Sequence, residues 1–232
     1  NILLPKLKLL RATPYTHTNY VNGAITVGDA FITAKGLDGK SETSSSWRTI
    51  AVCGLREGGK GYFALDVTDP ANPIPLWEIT NSSPSETSGT VVGLGYSFGT
   101  PLIVKLKDSS LSGGFRWVAL LANGYEGTTS GRAATLIVAD LATGAVIREI
   151  VADASTFSGV SPNGLATPAA IDRDADGLVD YVYAGDLTGH LWKFDLASSN
   201  SNNWDVVWKR SGTPVALCRA KTAAGSVQPI TT

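Results

Sequence analysis

The sequence predicts an all-β chain built as a β-propeller, and two observations carry that prediction. The 25 glycines and 11 prolines among 232 residues, with few charged side chains, favour many short strands joined by turns. The chain also repeats itself, each copy anchored on a glycine, at Gly54, Gly124 and Gly185. Four antiparallel strands repeated around an axis make propeller blades, with the inner strand first and the outer strand last.

The first strand of each unit is expected near residues 24–27, 101–106 and 166–171. The second runs up to the anchor, from Trp47, Trp117 and Leu178, each a large apolar residue seven positions before its glycine. The third ends in an aspartate, at Asp66, Asp140 and Asp195, and a turn follows each one. Those aspartates read as Asx-turn acceptors, because a short carboxylate at a strand end can accept from the backbone two residues on. The fourth strand is expected at residues 74–79, 145–150 and 204–209. Complete blades therefore fall at about 20–80, 90–152 and 160–212, with a partial blade over 213–232, all within one propeller domain. Residues before Tyr20 read as the end of an earlier blade or a short apolar segment packed on it. The anchors stand 70 and 61 residues apart, more than the roughly 40–50 of common propeller repeats. Inserted loops at 35–46, 81–89 and 108–114 account for the surplus. A ring needs at least about four blades, so the remaining blades are expected in sequence outside this chain.

Composition narrows the function. The net charge is −1 with no basic run, which removes the electrostatic footprint of nucleic-acid binding. No apolar stretch approaches the roughly 18 residues that span a bilayer. The chain has no methionine and no signal peptide, and reads as a piece of something longer. Cys53 and Cys218 have no metal-type spacing; a disulfide and two free thiols both fit.

The densest chemical signal is Asp172-Arg-Asp-Ala-Asp-Gly-Leu-Val-Asp180. Carboxylates at loop positions 1, 3, 5 and 9 (Asp172, Asp174, Asp176 and Asp180) turn hard oxygen donors toward one point. The carbonyl of Leu178 sits at position 7, and Gly177 supplies the sharp turn at position 6, as in the first part of an EF-hand loop. Four converging negative charges repel one another unless a cation sits among them, so the loop is read as a Ca²⁺ site. Position 12, where an EF-hand has its bidentate Glu, is Tyr183, and no helical pattern flanks the loop. This is a calcium loop in another fold. In the repeat it lies between the first and second strands, at a blade corner. Asp180 aligns with Thr49 and Ala119.

Other residues carry less. The six tryptophans fall largely in strands and suit inter-blade packing. His17 and His190 have no partner pattern, and Gly58-Gly-Lys-Gly61 lacks the spacing and helix of a phosphate loop. No nucleophile–base arrangement emerges, so no catalytic residue is expected.

Several motifs together resemble the C-terminal β-propeller domain of the PilY/PilC family, tip-associated adhesins and biogenesis factors of bacterial type IV pili. They are Trp47-Arg-Thr, Gly58-Gly-Lys-Gly-Tyr-Phe-Ala-Leu-Asp-Val-Thr-Asp-Pro70, Leu94-Gly-Tyr-Ser, Asn123-Gly-Tyr125 and, most specific, the acidic loop running into Tyr183-Ala-Gly-Asp-Leu and Trp192-Lys-Phe-Asp-Leu. The blade type alone is shared with quinoprotein-like propellers. The resemblance implies a secreted, non-enzymatic protein at the bacterial cell surface or pilus tip. It implies calcium at Asp172, Asp174, Asp176, Leu178 and Asp180, minor pilins as partners, and host or abiotic surfaces beyond them. It further implies support of pilus assembly, with calcium occupancy linked to extension, retraction and twitching motility. Two alternatives stand beside it: an extracellular propeller with a purely structural calcium site, and a quinoprotein dehydrogenase. The second is disfavoured by the absence of an adjacent cysteine pair.

Overall fold

In the computed structural model, residues 3–36, 38–81, 89–91, 93–126, 134–153 and 163–231 are described. The chain forms three successive antiparallel sheets, as the repeat predicts. The first contains β1 (Ile25–Ile32), β2 (Ser46–Gly54), β3 (Gly61–Asp66) and β4 (Ile74–Thr80), to which the short β5 (Gly89–Thr90) adds in parallel. The second contains β6 (Leu102–Lys107), β7 (Phe115–Ala122), β8 (Ala134–Asp140) and β9 (Val146–Asp153). The third contains β10 (Ala169–Ile171), β11 (Tyr181–Gly185), β12 (His190–Asp195) and β13 (Asp205–Val206). A hairpin of β14 (Lys209–Arg210) and β15 (Thr213–Pro214) follows, then β16 (Cys218–Arg219).

Three features differ from the sequence reading. The outer strand of the third sheet is split: β13 pairs with one end of β12, the β14–β15 hairpin is inserted, and β16 returns to pair with the other end, Leu191 opposite Cys218. Residues 218–219 therefore belong to the third sheet rather than to a further partial blade. Second, β11 begins at Tyr181, three residues after Leu178. Val179 N–H donates to the Lys105 carbonyl and Asp180 N–H to that of Ile171, which ties the corner loop to β6 and β10, while the Asp180 carbonyl still accepts from Leu196 N–H just past β12. Third, the segment before Tyr20 is a 3-10 helix, Leu4–Arg11, with no buried residue. Lys6 ties it down by donating to the Gly58 carbonyl at 3.0 Å, and Tyr20 donates to the Lys6 carbonyl at 2.9 Å. Most of the expected 81–89 insertion lies outside the described residues.

Period-2 alternation on β7 and β8 explains how the sheets stack. Ala119, Leu121, Ile137 and Ala139 point into one cluster with Ile50, Val52, Tyr62 and Ile79 of the first sheet. The alternate residues Val118, Leu120, Leu136 and Val138 point the other way, against Val182, Trp192, Phe194 and Trp204 of the third. A strand residue and its neighbour face opposite sides of a sheet, so the middle sheet is sealed on both faces. Polar links cross the same boundaries. Trp77 Nε1 donates to the Leu141 carbonyl at 2.8 Å, and the buried Tyr62 hydroxyl to the Ala122 carbonyl at 2.9 Å. Trp47, by contrast, is 63 % exposed at the edge, against Phe31 and Trp117.

The turns behave as the aspartate pattern predicts. Asp66 Oδ1 accepts from the Thr68 N–H, Asp140 Oδ1 from Ala142 and Thr143, and Asp195 Oδ1 from Ala197. The chain entering each next unit crosses the preceding sheet's second turn. Ser97 Oγ accepts from Leu55 N–H and donates to the Gly61 carbonyl, and Leu165 N–H donates to Asn123 Oδ1. Ile230 N–H, in the same role, reaches the Asp186 carbonyl. Gly124 (φ 66°) leaves no room for a side chain under this crossing, since a Cβ there would lie 2.0 Å from the Tyr96 carbonyl oxygen.

Asp186 organises the third turn. It is fully buried, and its carboxylate accepts from Asn163 Nδ2, Trp192 Nε1 and the Thr188 hydroxyl as well as the Thr188 and His190 N–H groups, all at 2.8–2.9 Å. His190, which showed no partner in the sequence, places Nδ1 3.2 Å from Asp186 Oδ2 and 2.8 Å from Thr188 Oγ1. Burial pushes the Asp186 carboxyl up, but the donors from His190, Asn163 and Trp192 outweigh it and hold its pKa at about 2. Because the folded value lies below the ordinary 3.8, Asp186 contributes stability that is fully present above about pH 4. That contribution is lost as pH falls toward 2. Urea unfolding between pH 5 and 2 should show Asp186→Asn less stable than wild type at pH 5, with the gap shrinking by about 2 kcal/mol at pH 2.

Candidate functional site

The acidic loop occupies the corner between β10 and β11, facing the end of β6 in the neighbouring sheet. Its shape comes from side chain to backbone bonds of its own. Asp172 accepts from Ala175 N–H through Oδ1 and from Gly177 N–H through Oδ2, both at 2.7 Å. Asp176 Oδ1 accepts from Leu178 N–H at 2.8 Å, and Asp180 Oδ2 from Arg173 N–H at 2.9 Å. Two residues hold positive φ, Ala175 at 61° and Gly177 at 82°. Glycine at 177 meets that conformation without strain. Arg173 points outward and lays its guanidinium over the Tyr181 ring, 5.8 Å from the centroid.

Of the five residues named from the sequence, the fold brings three together. Asp172, Asp174 and Asp176 each offer a carboxylate oxygen, and these oxygens lie within 4.8 Å of one another, with Asp174 and Asp176 exposed and Asp172 half-buried. Asp180 is buried and stands apart from this triad, on the strand side of the corner. It is linked to the triad through Lys107, whose ammonium lies 3.2 Å from Asp176 Oδ2 and 3.5 Å from Asp180 Oδ1. Leu178 is half-buried, and its N–H is committed to Asp176. The hydrogen bond to Asp176 raises the Lys107 ammonium above its ordinary value, with the charges of Asp176, Asp180 and Asp174 adding to it against partial desolvation. The Asp176 carboxyl is correspondingly lowered, first by the Leu178 N–H and then by Lys107.

Three hard, anionic oxygen donors on one tight loop, open to solvent on one side, form a donor set that suits a divalent cation with oxygen preference. Soft or imidazole ligands are absent from the corner among the described residues, which points away from zinc or copper chemistry. A cavity of about 870 Å³ lies elsewhere, on the outer rim between the second and third sheets. It is lined by Val151, His190, Trp192, Lys209, Pro214 and Cys218 among others, and includes none of the loop aspartates. Cys53 is buried and Cys218 exposed, and both are free thiols. Lys107 was not legible as part of the site. It sits 65 residues before the loop's first aspartate, and only the packing of β6 against the third sheet reveals the contact. The one local hint is the alternation Lys105-x-Lys107 at the end of an otherwise apolar strand.

Residues 4–232 match the family model described as the PilY1 beta-propeller domain. A type IV pilus biogenesis factor PilY1 homolog of Xylella fastidiosa is 39 % identical over all of this chain and 15 % of its own length. The type IV pilus biogenesis factor PilY1 of Pseudomonas aeruginosa is 38 % identical over 97 % of the chain and 17 % of its own length. The crystal structure of the C-terminal domain of Pseudomonas aeruginosa PilY1 superposes with a TM-score of 0.69 at 37 % identity, covering 91 % of this chain and 40 % of that one. The chain thus spans about a sixth of the length of these curated relatives.

The two backbone bonds at Asp172 generate a direct test of the loop's construction. In metal-free buffer, Asp172→Ala should lower stability by about 1–2 kcal/mol, since two N–H acceptors are lost at once. Hydrogen exchange at the Ala175 and Gly177 amides should accelerate while exchange in β7 and β8 stays unchanged. Unchanged exchange at both amides would mean that these bonds do not shape the loop.

Proposed function

Because this chain belongs to the PilY1 β-propeller domain family, we propose that it is the calcium-binding propeller module of a type IV pilus biogenesis factor. In this reading it serves pilus assembly by presenting a shaped surface and performs no chemistry. The observation that carries the calcium assignment is the convergence of Asp172, Asp174 and Asp176, with their ligand oxygens within 4.8 Å of one another. These three would hold the ion, with Asp180 and the Leu178 carbonyl as further oxygen donors on the strand side of the loop. A bound calcium supplies two positive charges that relieve the repulsion among the carboxylates and fix the corner relative to β11.

Minor pilins at the fibre tip are the proposed partners, with host or abiotic surfaces contacted through the full-length protein, and the pilus tip at the cell surface is the proposed location. That the relatives are named pilus biogenesis factors supports both proposals and the non-enzymatic reading. No described helix is long and apolar enough to cross a membrane. Calcium occupancy is proposed to bias the pilus between extension and retraction, and so to act on twitching and adhesion. A second reading, in which the ion only staples the corner, is favoured by the loop's own hydrogen bonds, which define its shape from Asp172 to Asp180 before any ion is considered.

Calorimetric titration of the intact protein should register one calcium ion, and Asp174→Ala should weaken it at least about tenfold, the order expected for losing one carboxylate ligand. Bound calcium should also raise the melting temperature, because a ligand held only by the folded state stabilises it. Undiminished affinity in Asp174→Ala would remove the assignment. Switching and stapling part on motility. An Asp180→Ala strain whose protein melts within a degree or so of wild type should show altered surface pilus number and twitching if calcium switches function. It should match wild type if the ion is a staple.

A further inference from the structure

The three blade corners are built to one electrostatic plan, and the third departs from it. In the first sheet Arg48, on β2, pairs with Glu42 of its own loop and with Asp66 at the end of β3. In the second, Arg116 on β7 pairs with Asp108 at 2.7 Å and with Asp140 at 2.8 Å. Each corner therefore carries its own counter-cation, one residue after Trp47 in the first and one residue before Trp117 in the second. In the third repeat the two positions that align with these arginines are Val179 and Gly177, and neither carries a charge. The cation comes instead from the neighbouring sheet: Lys107, the last residue of β6, bridges Asp176 and Asp180. The same strand end is bonded to the loop through its backbone, Val179 N–H donating to the Lys105 carbonyl at 2.9 Å.

Resting on the calcium reading above, we propose that Lys107 is the built-in competitor for that ion. Its ammonium holds Asp176 and Asp180 when no divalent cation is bound, and it must leave them when one binds. Lys105, whose ammonium lies beside Gly177, and Arg173 within the loop are further cations, and with Lys107 they still leave the four carboxylates in excess, so the loop retains a drive to take up a dication. A dication and an ammonium cannot share the same carboxylate oxygens without strong repulsion. Lys107 is 28 % exposed on a long flexible stem, so it has a path to water when displaced. Two consequences follow. Lys107 sets the calcium affinity below what the carboxylates alone would give. Its release also converts occupancy at the third corner into a change at the end of β6, in the second sheet. In this way a local ion site reports to the neighbouring blade.

The test compares Ca²⁺ titrations of the intact wild-type protein, Lys107→Met and Lys107→Arg by calorimetry. Lys107→Met should bind calcium about tenfold more tightly, the factor for removing a unit charge about 6 Å from a dication under water-like screening. Lys107→Arg should stay near wild type. A Lys107→Met affinity equal to or weaker than wild type, with wild type binding normally, would overturn the competitor role and leave the calcium site standing. No binding heat from wild type would overturn the site itself and the competitor with it. Amine acylation of the wild-type protein, read by mass spectrometry, gives a second measure that needs no variant. Lys107 should react several-fold faster in calcium than in chelator, and equal rates would contradict its release.

Discussion

Burial of one sheet against the next is the constraint from which the rest of this structure follows. β7 and β8 carry apolar residues on both faces, so the middle sheet is stable in water only when covered on both sides. The first and third sheets supply that cover through two separate clusters. Once the sheets are stacked, equivalent loops fall at equivalent corners, and β6 is brought alongside the loop between β10 and β11. The geometry of the candidate site is therefore a product of inter-sheet packing. No single blade contains both Lys107 and the acidic loop.

The crossings between units reinforce this arrangement. Ser97, Asn123 and Asp186 are buried polar groups whose bonds span neighbouring segments of chain, and each is satisfied. Buried polar groups cost free energy unless paired, so these contacts fix one relative placement of the sheets where apolar packing alone would tolerate sliding. The corners sit at the other end of the strands. There, ion pairs at Arg48 and Arg116 close the first two, while the third is left with excess negative charge. That asymmetry singles out the third corner as the place where an external cation has a physical reason to bind.

Much of this was legible in the sequence. The glycine-anchored repeat gave strand order, and Asp66, Asp140 and Asp195 marked their turns because an Asx acceptor is a local device. The triad Asp172, Asp174 and Asp176 was legible for the same reason: its geometry is set within six residues. The split outer strand was hidden, because 204–209 reads as one strand and 213 onward as a new blade, and only pairing distinguishes an inserted hairpin from a new blade. The late start of β11 was hidden because Val179 and Asp180 bond across to Lys105 and Ile171. The bonds around Asp186 join residues 163 to 192, and Lys107 reaches a loop many residues later. Non-local contacts of this kind leave no periodic trace for a single sequence to display.

A divalent ion held by the third corner and opposed by Lys107 is the central proposal. An experimental crystal structure of the intact protein grown in millimolar calcium tests it most directly. Oxygens of Asp172, Asp174 and Asp176 should lie about 2.3–2.6 Å from a single density peak, with the Lys107 ammonium turned away from Asp176. A well-ordered corner with Lys107 still seated between Asp176 and Asp180, and no ion among the aspartates, would contradict it.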